Sequence, residues 1–544
     1  MRRQVGDRAG APSDSEREQR RLRRAVNLPD HASSDGPMDS LLRLPRSRRR
    51  FLAELAAAGA ASASFAASLR AEAQLAGPRI PDDLNFTSAK RIAALIASRR
   101  LSAVEAVQAY LKRIDAVNGQ LNAVVYPIAE RALQEARQAD ALLARGQRIG
   151  PLHGVPCTIK DSLATAGVRT TGGTLGRRNY VPDRDATAVA RVRAAGAIVM
   201  GKTNTPELTL SGMTTNLIYG KTHNPYKHGY QPGGSTGGGA SIIAAGGSSF
   251  DIGTDFGGSI RGPAHFCGIA GLKPSTGRVP RTGHIIDYGG YFDPFQVVGP
   301  LARWTEDLEL IASVIAGPDY VDAAIVPAPW LSPSTVDLKA MRIAYFVNNG
   351  STKAPTAETD AAVRRVVAQF RSLGAGVVED CPAALIRESS DIRQALSTAD
   401  GRAWVKRLLK KYGTSKTSPV INLRPAPTVK TPEFTRLAEA MDANRSKFLQ
   451  WFSAYDLVIC PADRAPAQPW PAEPKAMVPE PGNYGYTPVF NNTGWPGAVV
   501  RAGWSPDGLP IGVQFIAKPM REDVALAAAA FIEATVGGYQ RPKL

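Results

Sequence analysis

Between Pro232 and Pro280 the chain carries glycine at a density that few folds can use. The run reads Pro-Gly-Gly-Ser235-Thr236-Gly-Gly-Gly, then Gly253-Thr254-Asp255-Phe256-Gly257-Gly258-Ser259-Ile260-Arg261-Gly262-Pro263, then Cys267-Gly268-Ile269-Ala270-Gly271-Leu272-Lys273-Pro274-Ser275. Glycine is costly to order and adds no side chain to a core, so such a segment persists only where the backbone approaches something closely or adopts positive φ. Gly257-Gly258 directly before Ser259 suits a strand-to-loop turn that gathers successive N–H groups into one concavity, the arrangement an oxyanion hole requires. A single glycine pair would be a tight turn and a single serine a cap; neither accounts for the whole constellation.

Two shorter motifs point elsewhere and fail on physical grounds. Gly196-Ala-Ile-Val-Met-Gly201-Lys202-Thr203 matches the P-loop pattern. A P-loop needs an open turn whose N–H groups face phosphates, whereas here the intervening residues read as the buried strand itself, and Pro206 interrupts the helix that should follow. Gly233-Gly234-Ser235-Thr236-Gly237 matches a nucleophile elbow, but no histidine follows His284 in the remaining 260 residues. If Ser235 takes part in catalysis, another group must accept the proton.

The body reads as α/β. Ser102 and Glu105 form a capping box ahead of Val104, Val107, Leu111 and Ile114 at helical spacing. Ala197 to Met200 and Leu457 to Cys460 are short apolar runs that read as buried strands, between helices such as 355–373 and 521–536. Pro-rich stretches at 326–334 and 461–481 look like surface loops, and no internal repeat is present. The formal charge of +18 raises the question of a nucleic-acid partner. Residues 1–73 hold 14 Lys and Arg against 9 Asp and Glu, so most of the excess lies in the body. There it is scattered, with no basic stripe interleaved with aromatics, which argues against nucleic acid. Cys157, Cys267, Cys381 and Cys460 lie far apart and form no ligand-spaced cluster with the six histidines, so no metal site is expected; one or two disulfides stay open.

Ser47-Arg-Arg-Arg-Phe-Leu52 is a twin-arginine pattern, followed by a weakly apolar run from Ala53 to Leu69 and a small-x-small site at Ala71-Glu72-Ala73. Residues 1–46 then read as a disordered or untranslated extension with the signal's n-region, with Met38 an alternative start. Residues 47–73 are the signal and 74–544 the mature domain. The expected product is periplasmic or secreted, handled by the twin-arginine export machinery, with no stable membrane insertion because no segment reaches about 20 strongly apolar residues. Oligomeric state is not readable.

The glycine-serine run resembles the amidase signature family, and the resemblance covers about residues 86–536. Gly154-Val155-Pro156-Cys157-Thr158-Ile159-Lys160-Asp161 is similar to the family's lysine motif, and Gly201-Lys202-Thr203-Asn204-Thr205-Pro206-Glu207 to its next block, which explains the false P-loop. Tyr455 to Pro461, Phe490 to Pro496 and Gly508 to Gln514 match late blocks. The resemblance implies a single large α/β/α domain with a central mixed sheet covered by helices. It implies Ser259 as nucleophile, Ser235 as bridging serine usually held by a cis peptide, and Lys160 as base. The amides of Phe256, Gly257, Gly258 and Ser259 would form the oxyanion hole, with Thr236 and Asp255 in support. Met213, Thr214 and Tyr219 are candidate pocket residues, and Trp470, Tyr484, Tyr486 and Trp495 could line an acyl pocket or be ordinary packing. The implied reaction is hydrolysis of a small-molecule amide without cofactor or metal. The alternatives are an esterase or carbamate hydrolase on the same triad, an inactive binding protein and a tRNA-dependent amidotransferase A subunit. Thr236 departs from the serine common in the family, and its added methyl could crowd the site. Asp161 could stabilise a charged Lys160, although strand alternation should turn it to the opposite face.

Overall fold

The computed structural model describes residues 84–286, 290–472 and 482–544, all within one compact unit, Pro78–Leu544. The N-terminal extension, the segment 47–73 read as a signal, and part of the Pro-rich 461–481 stretch lie outside the described residues.

Thirteen strands are present among the described residues: β1 Val124–Pro127, β2 Pro156–Lys160, β3 Ile198–Thr203, β4 Thr215–Asn216, β5 Gly220–Lys221, β6 Phe250–Asp255, β7 Ala270–Lys273, β8 Val297–Ala302, β9 Arg342–Tyr345, β10 Gly376–Glu379, β11 Leu457–Pro461, β12 Gly497–Trp504 and β13 Pro510–Ala517. β4 and β5 form a small hairpin, and the other eleven make one sheet in the order β1-β3-β2-β6-β8-β7-β12-β13-β11-β9-β10. It is mixed. β3, β2 and β6 run parallel, as do β11, β9 and β10, and the strands between pair antiparallel. β2, β3, β6, β8, β11 and β13 are buried at every residue, which requires cover on both faces. The edges, β1 and β10, are short and partly exposed, as edges that resist further pairing must be.

The capping box forms as expected. Ser102 Oγ accepts from the Glu105 amide at 3.1 Å and Glu105 accepts from the Ser102 amide at 2.8 Å, starting the helix Ala103–Leu121. Its buried face is Ala106, Val107, Tyr110, Ile114 and Val117, with Val104 and Leu111 at the margin of the core. Helices Ala357–Leu373 and Glu522–Val536 end at Gly374 and Gly537, both at positive φ, where glycine terminates a helix without strain. The P-loop pattern does prove to be strand: Ile198–Thr203 is buried throughout. All four cysteines are free thiols, and no described helix is long and apolar enough to cross a membrane.

Candidate active site

The parallel pair β2 and β6 ends where the site begins. Lys160 is the last residue of β2 and Asp255 the last of β6, so both lie at the carboxyl ends of adjacent parallel strands, where open α/β sheets place ligands. Lys160 is fully buried, and its Nζ donates to Ser235 Oγ at 2.6 Å, Thr254 Oγ1 at 2.8 Å and Thr236 Oγ1 at 2.9 Å. Three hydroxyls and no carboxylate contact the amine. Burial pushes its pKa down to about 7 against the upward pull of Asp251 and Asp255.

Asp161 does turn away. Its carboxylate accepts from the Thr171 amide and hydroxyl and lies in the field of Lys202, and it has no part in setting Lys160. The nearer acid is Asp251, which accepts from Thr158 at 2.7 Å and Thr203 at 3.0 Å and is raised to about 6 by burial. Nothing in the motif reading had marked it.

Ser235 sits on a turn between β5 and the helix Gly237–Ala244, and the Gly234–Ser235 peptide is cis. The Gly233 carbonyl accepts from Thr214 Oγ1 at 2.8 Å, and the Gly237 amide donates back to that oxygen at 3.2 Å. The Thr236 amide donates to the Ser259 carbonyl at 3.1 Å, which ties this turn to the one that follows β6. The glycines are there for close approach: a Cβ at Gly238 would lie 2.4 Å from the Asn204 amide nitrogen, and one at Gly234 2.7 Å from the Gly212 carbonyl carbon. Thr236 does not crowd the site, because its methyl occupies space beside Gly253, 2.6 Å from where a Cβ there would be.

The turn 256–259 is fixed from both sides. Asp255 accepts from the Gly258 amide at 2.8 Å, the Ile260 amide at 3.1 Å and the Arg261 guanidinium at 3.1 Å. Burial would raise its carboxyl, but Arg261 and then Lys273 hold it well below the usual carboxylate range. Gly258 takes φ +120°, and a Cβ there would meet Thr487 Oγ1 at 2.2 Å, so no other residue fits. The Gly258 amide, expected among the oxyanion donors, is therefore committed to Asp255. The Phe256, Gly257 and Ser259 amides have no protein acceptor among the described residues.

Of the candidate pocket residues, Thr214 is a fully buried strut of the Ser235 turn, Met213 is buried beside it, and Tyr219 lies in the field of Asp161. None of them lines the narrow cavity beside Ser235, which is formed instead by Thr209, Thr254, Phe256, Arg281, His284 and Gln296 among others. His284 is held neutral there, pushed to about 3 by burial and by the charges of Lys160 and Arg281. Tyr486 and Trp495 are ordinary packing, 4% and 2% exposed in one apolar cluster. Trp470 donates to the Thr222 carbonyl at 3.0 Å. The late sequence blocks converge on the turn: Asn491 donates to Asp255 at 2.8 Å, and Gln514 accepts from Arg261 at 3.2 Å.

Comparison with known proteins agrees with this geometry. The family model described as Amidase matches residues 105–526. The A subunit of glutamyl-tRNA(Gln) amidotransferase from Moorella thermoacetica is 34% identical over 500 residues, covering 85% of this chain and 99% of that protein. An acylamidase of Rhodococcus erythropolis is 31% identical over 474 residues, covering 83% and 96%. Among solved structures, 6-aminohexanoate cyclic dimer hydrolase complexed with substrate superposes with a TM-score of 0.74 at 27% identity, covering 84% of this chain and 99% of that one.

Proposed function

Because the chain belongs to the amidase signature family, we propose that it is an amidohydrolase that cleaves a carboxamide through a Ser259 acyl-enzyme. The observation that carries the reading is the 2.6 Å contact from a fully buried Lys160, whose pKa is near 7, to Ser235, on a turn bonded to the backbone of Ser259. Neutral Lys160 takes the Ser235 proton as Ser235 takes that of Ser259, and Ser259 Oγ bonds to the carbonyl carbon. The resulting oxyanion is received by the Phe256, Gly257 and Ser259 amides. The relay returns the proton to nitrogen as the C–N bond breaks, and water then cleaves the acyl-enzyme by the same path in reverse. The residues require no cofactor for this sequence. Esters would enter by the same route, and an amide assayed beside its matched ester ranks the two.

A second reading, the A subunit of a tRNA-dependent amidotransferase, is favoured by the Moorella relative. Against it stands the twin-arginine pattern at 47–52, since export would separate the protein from such a partner. We take the mature protein to begin near Gln74 outside the cytoplasm; terminal sequencing of the cell-fractionated product checks this. The decisive assay is amine release from aryl, alkyl and peptide carboxamides by residues 74–544 alone, beside Ser259→Ala. The expected loss in the variant is at least about a thousandfold. Turnover that appears only when a partner protein is supplied would favour the second reading, and equal rates would remove Ser259 as nucleophile.

A further inference from the structure

The amides left free at 256–259 owe their direction to what binds the carbonyls behind them. A peptide unit is planar, with its C=O and N–H pointing opposite ways, so a donor on the carbonyl fixes where the N–H points. The Phe256 carbonyl accepts from Arg393 Nη2 at 2.6 Å, and the N–H of that same peptide belongs to Gly257. The Gly257 carbonyl accepts from Thr487 Oγ1 at 2.8 Å, but its peptide partner, the Gly258 amide, is spent on Asp255. Arg393 thus holds a peptide whose N–H is available for an oxyanion.

The guanidinium is itself fixed. Its Nη1 donates to Asn492 Oδ1 at 2.7 Å, and its Cζ lies 4.7 Å from the Phe256 ring centroid and 5.1 Å from that of Phe295. Asn492 is anchored in turn, donating to Ser389 Oγ at 2.8 Å and accepting at its carbonyl from Arg445 at 2.6 Å. Arg393 comes from the helix Ala383–Thr398, an element outside every motif discussed above.

We propose that Arg393 is a positioning residue for the oxyanion hole, orienting and polarising the Phe256–Gly257 peptide so that the Gly257 amide donates to the developing oxyanion. A cation on the carbonyl draws electron density through the peptide and strengthens its N–H as a donor, as successive hydrogen bonds reinforce one another. Burial lowers the Arg393 pKa to about 10, which leaves it charged at neutral pH. The inference rests on Ser259 being the nucleophile.

The test uses hydrolysis of 4-nitrophenyl acetate, whose leaving group needs no proton, so kcat, through acylation and deacylation alike, reads nucleophile activation and oxyanion stabilisation without protonation of a leaving amine. Phenylboronic acid serves as the tetrahedral mimic: the Ser259 oxygen bonds to boron while its proton passes into the relay, leaving an anionic boronate. Arg393→Met is expected to lower kcat by about 10- to 100-fold, less than deletion of a whole oxyanion donor, with KM within about twofold. Boronate inhibition should weaken by a similar factor, and the pH midpoint of the rate should stay where the parent has it. Arg393→Lys should recover part of the loss. Asn492→Ala, which frees the guanidinium without removing it, should show the same pattern at smaller size and stands in if Arg393→Met does not fold. Parental kcat and boronate affinity in both variants overturns the role of Arg393 alone, as does a loss confined to KM or a moved pH midpoint. Activity that survives Ser259→Ala overturns the underlying reading and the Arg393 role with it.

Discussion

Two lysines on neighbouring parallel strands, Lys160 of β2 and Lys202 of β3, are both fully buried, and burial lowers both pKa values, to about 7 and about 8. They face opposite ways. Thr158 and Thr203 both bond Asp251, so Lys160, two residues from Thr158, shares that face, whereas Lys202, next to Thr203, does not. Lys160 meets three hydroxyls, one of them on a turn beside Ser259. Lys202 donates to the Leu163 carbonyl and the Thr165 hydroxyl, within the field of Asp161. On the proposed mechanism, desolvation alone does not make a base; the amine also needs a hydroxyl that can pass its proton onward. A carbonyl can hold an ammonium but cannot relay from it, and the Thr165 hydroxyl beside Lys202 donates back to the same Leu163 carbonyl rather than leading to a second serine.

The sharpest way to break the comparison is to remove each lysine. Lys160→Met should reduce turnover by at least about a thousandfold while the protein stays folded. Lys202→Met should leave turnover within about tenfold yet lower unfolding free energy by about 3 kcal/mol, because the buried Asp161 loses its nearby cation. Denaturant titration beside initial rates separates the two, and equal losses of activity would erase the distinction drawn here. A smaller effect concerns pH. Nζ must be neutral to accept a proton, so the rate on a 4-nitrophenyl ester should rise with pH along a limb centred near 7. A limb centred near 10 would mean that the Lys160 amine titrates like an ordinary lysine and that its burial does not tune it. The smallest change expected is for Asp251→Asn. The carboxylate favours the Lys160 ammonium, so its removal should shift that limb toward lower pH, by about one unit. A shift toward higher pH would contradict the sign of that coupling.

The elements most legible in the sequence are those with local causes. The capping box at Ser102 and Glu105, the buried strand inside the false P-loop and the two helix ends were all readable from neighbouring residues. The glycine density was readable too, and the structure supplies what most of these glycines approach, Gly262 being an exception. Thr254 was harder: it lies inside the glycine run, but nothing in its neighbours says that it will reach Lys160 Nζ. Asp251 and Arg393 were missed because a lone acid on a strand and a lone cation on an amphipathic helix carry no motif. Their meaning comes from a register with β2 and from a helix more than 130 residues away from Phe256. Met213, Thr214 and Tyr219 lie off the narrow cavity beside Ser235 for a related reason, since position near the serines in sequence does not decide which side of a turn faces that cavity. The Gly258 amide shows the same limit at atomic scale, because only the placement of Asp255 reveals that it is already bonded.

Asn491 and Gln514 reach Asp255 and Arg261, and β12 and β13 pair beside β7. For a chain leaving the ribosome, this interleaving sets an order of events. Ser259 emerges before Thr487, Asn491 and Gln514, which hold its turn and the Asp255–Arg261 pair beside it and follow more than 200 residues later. Until those residues arrive the nascent polypeptide lacks part of the bracing of the turn around Ser259, and a chain cut short before Asn491 carries the serines without the full frame that orients them.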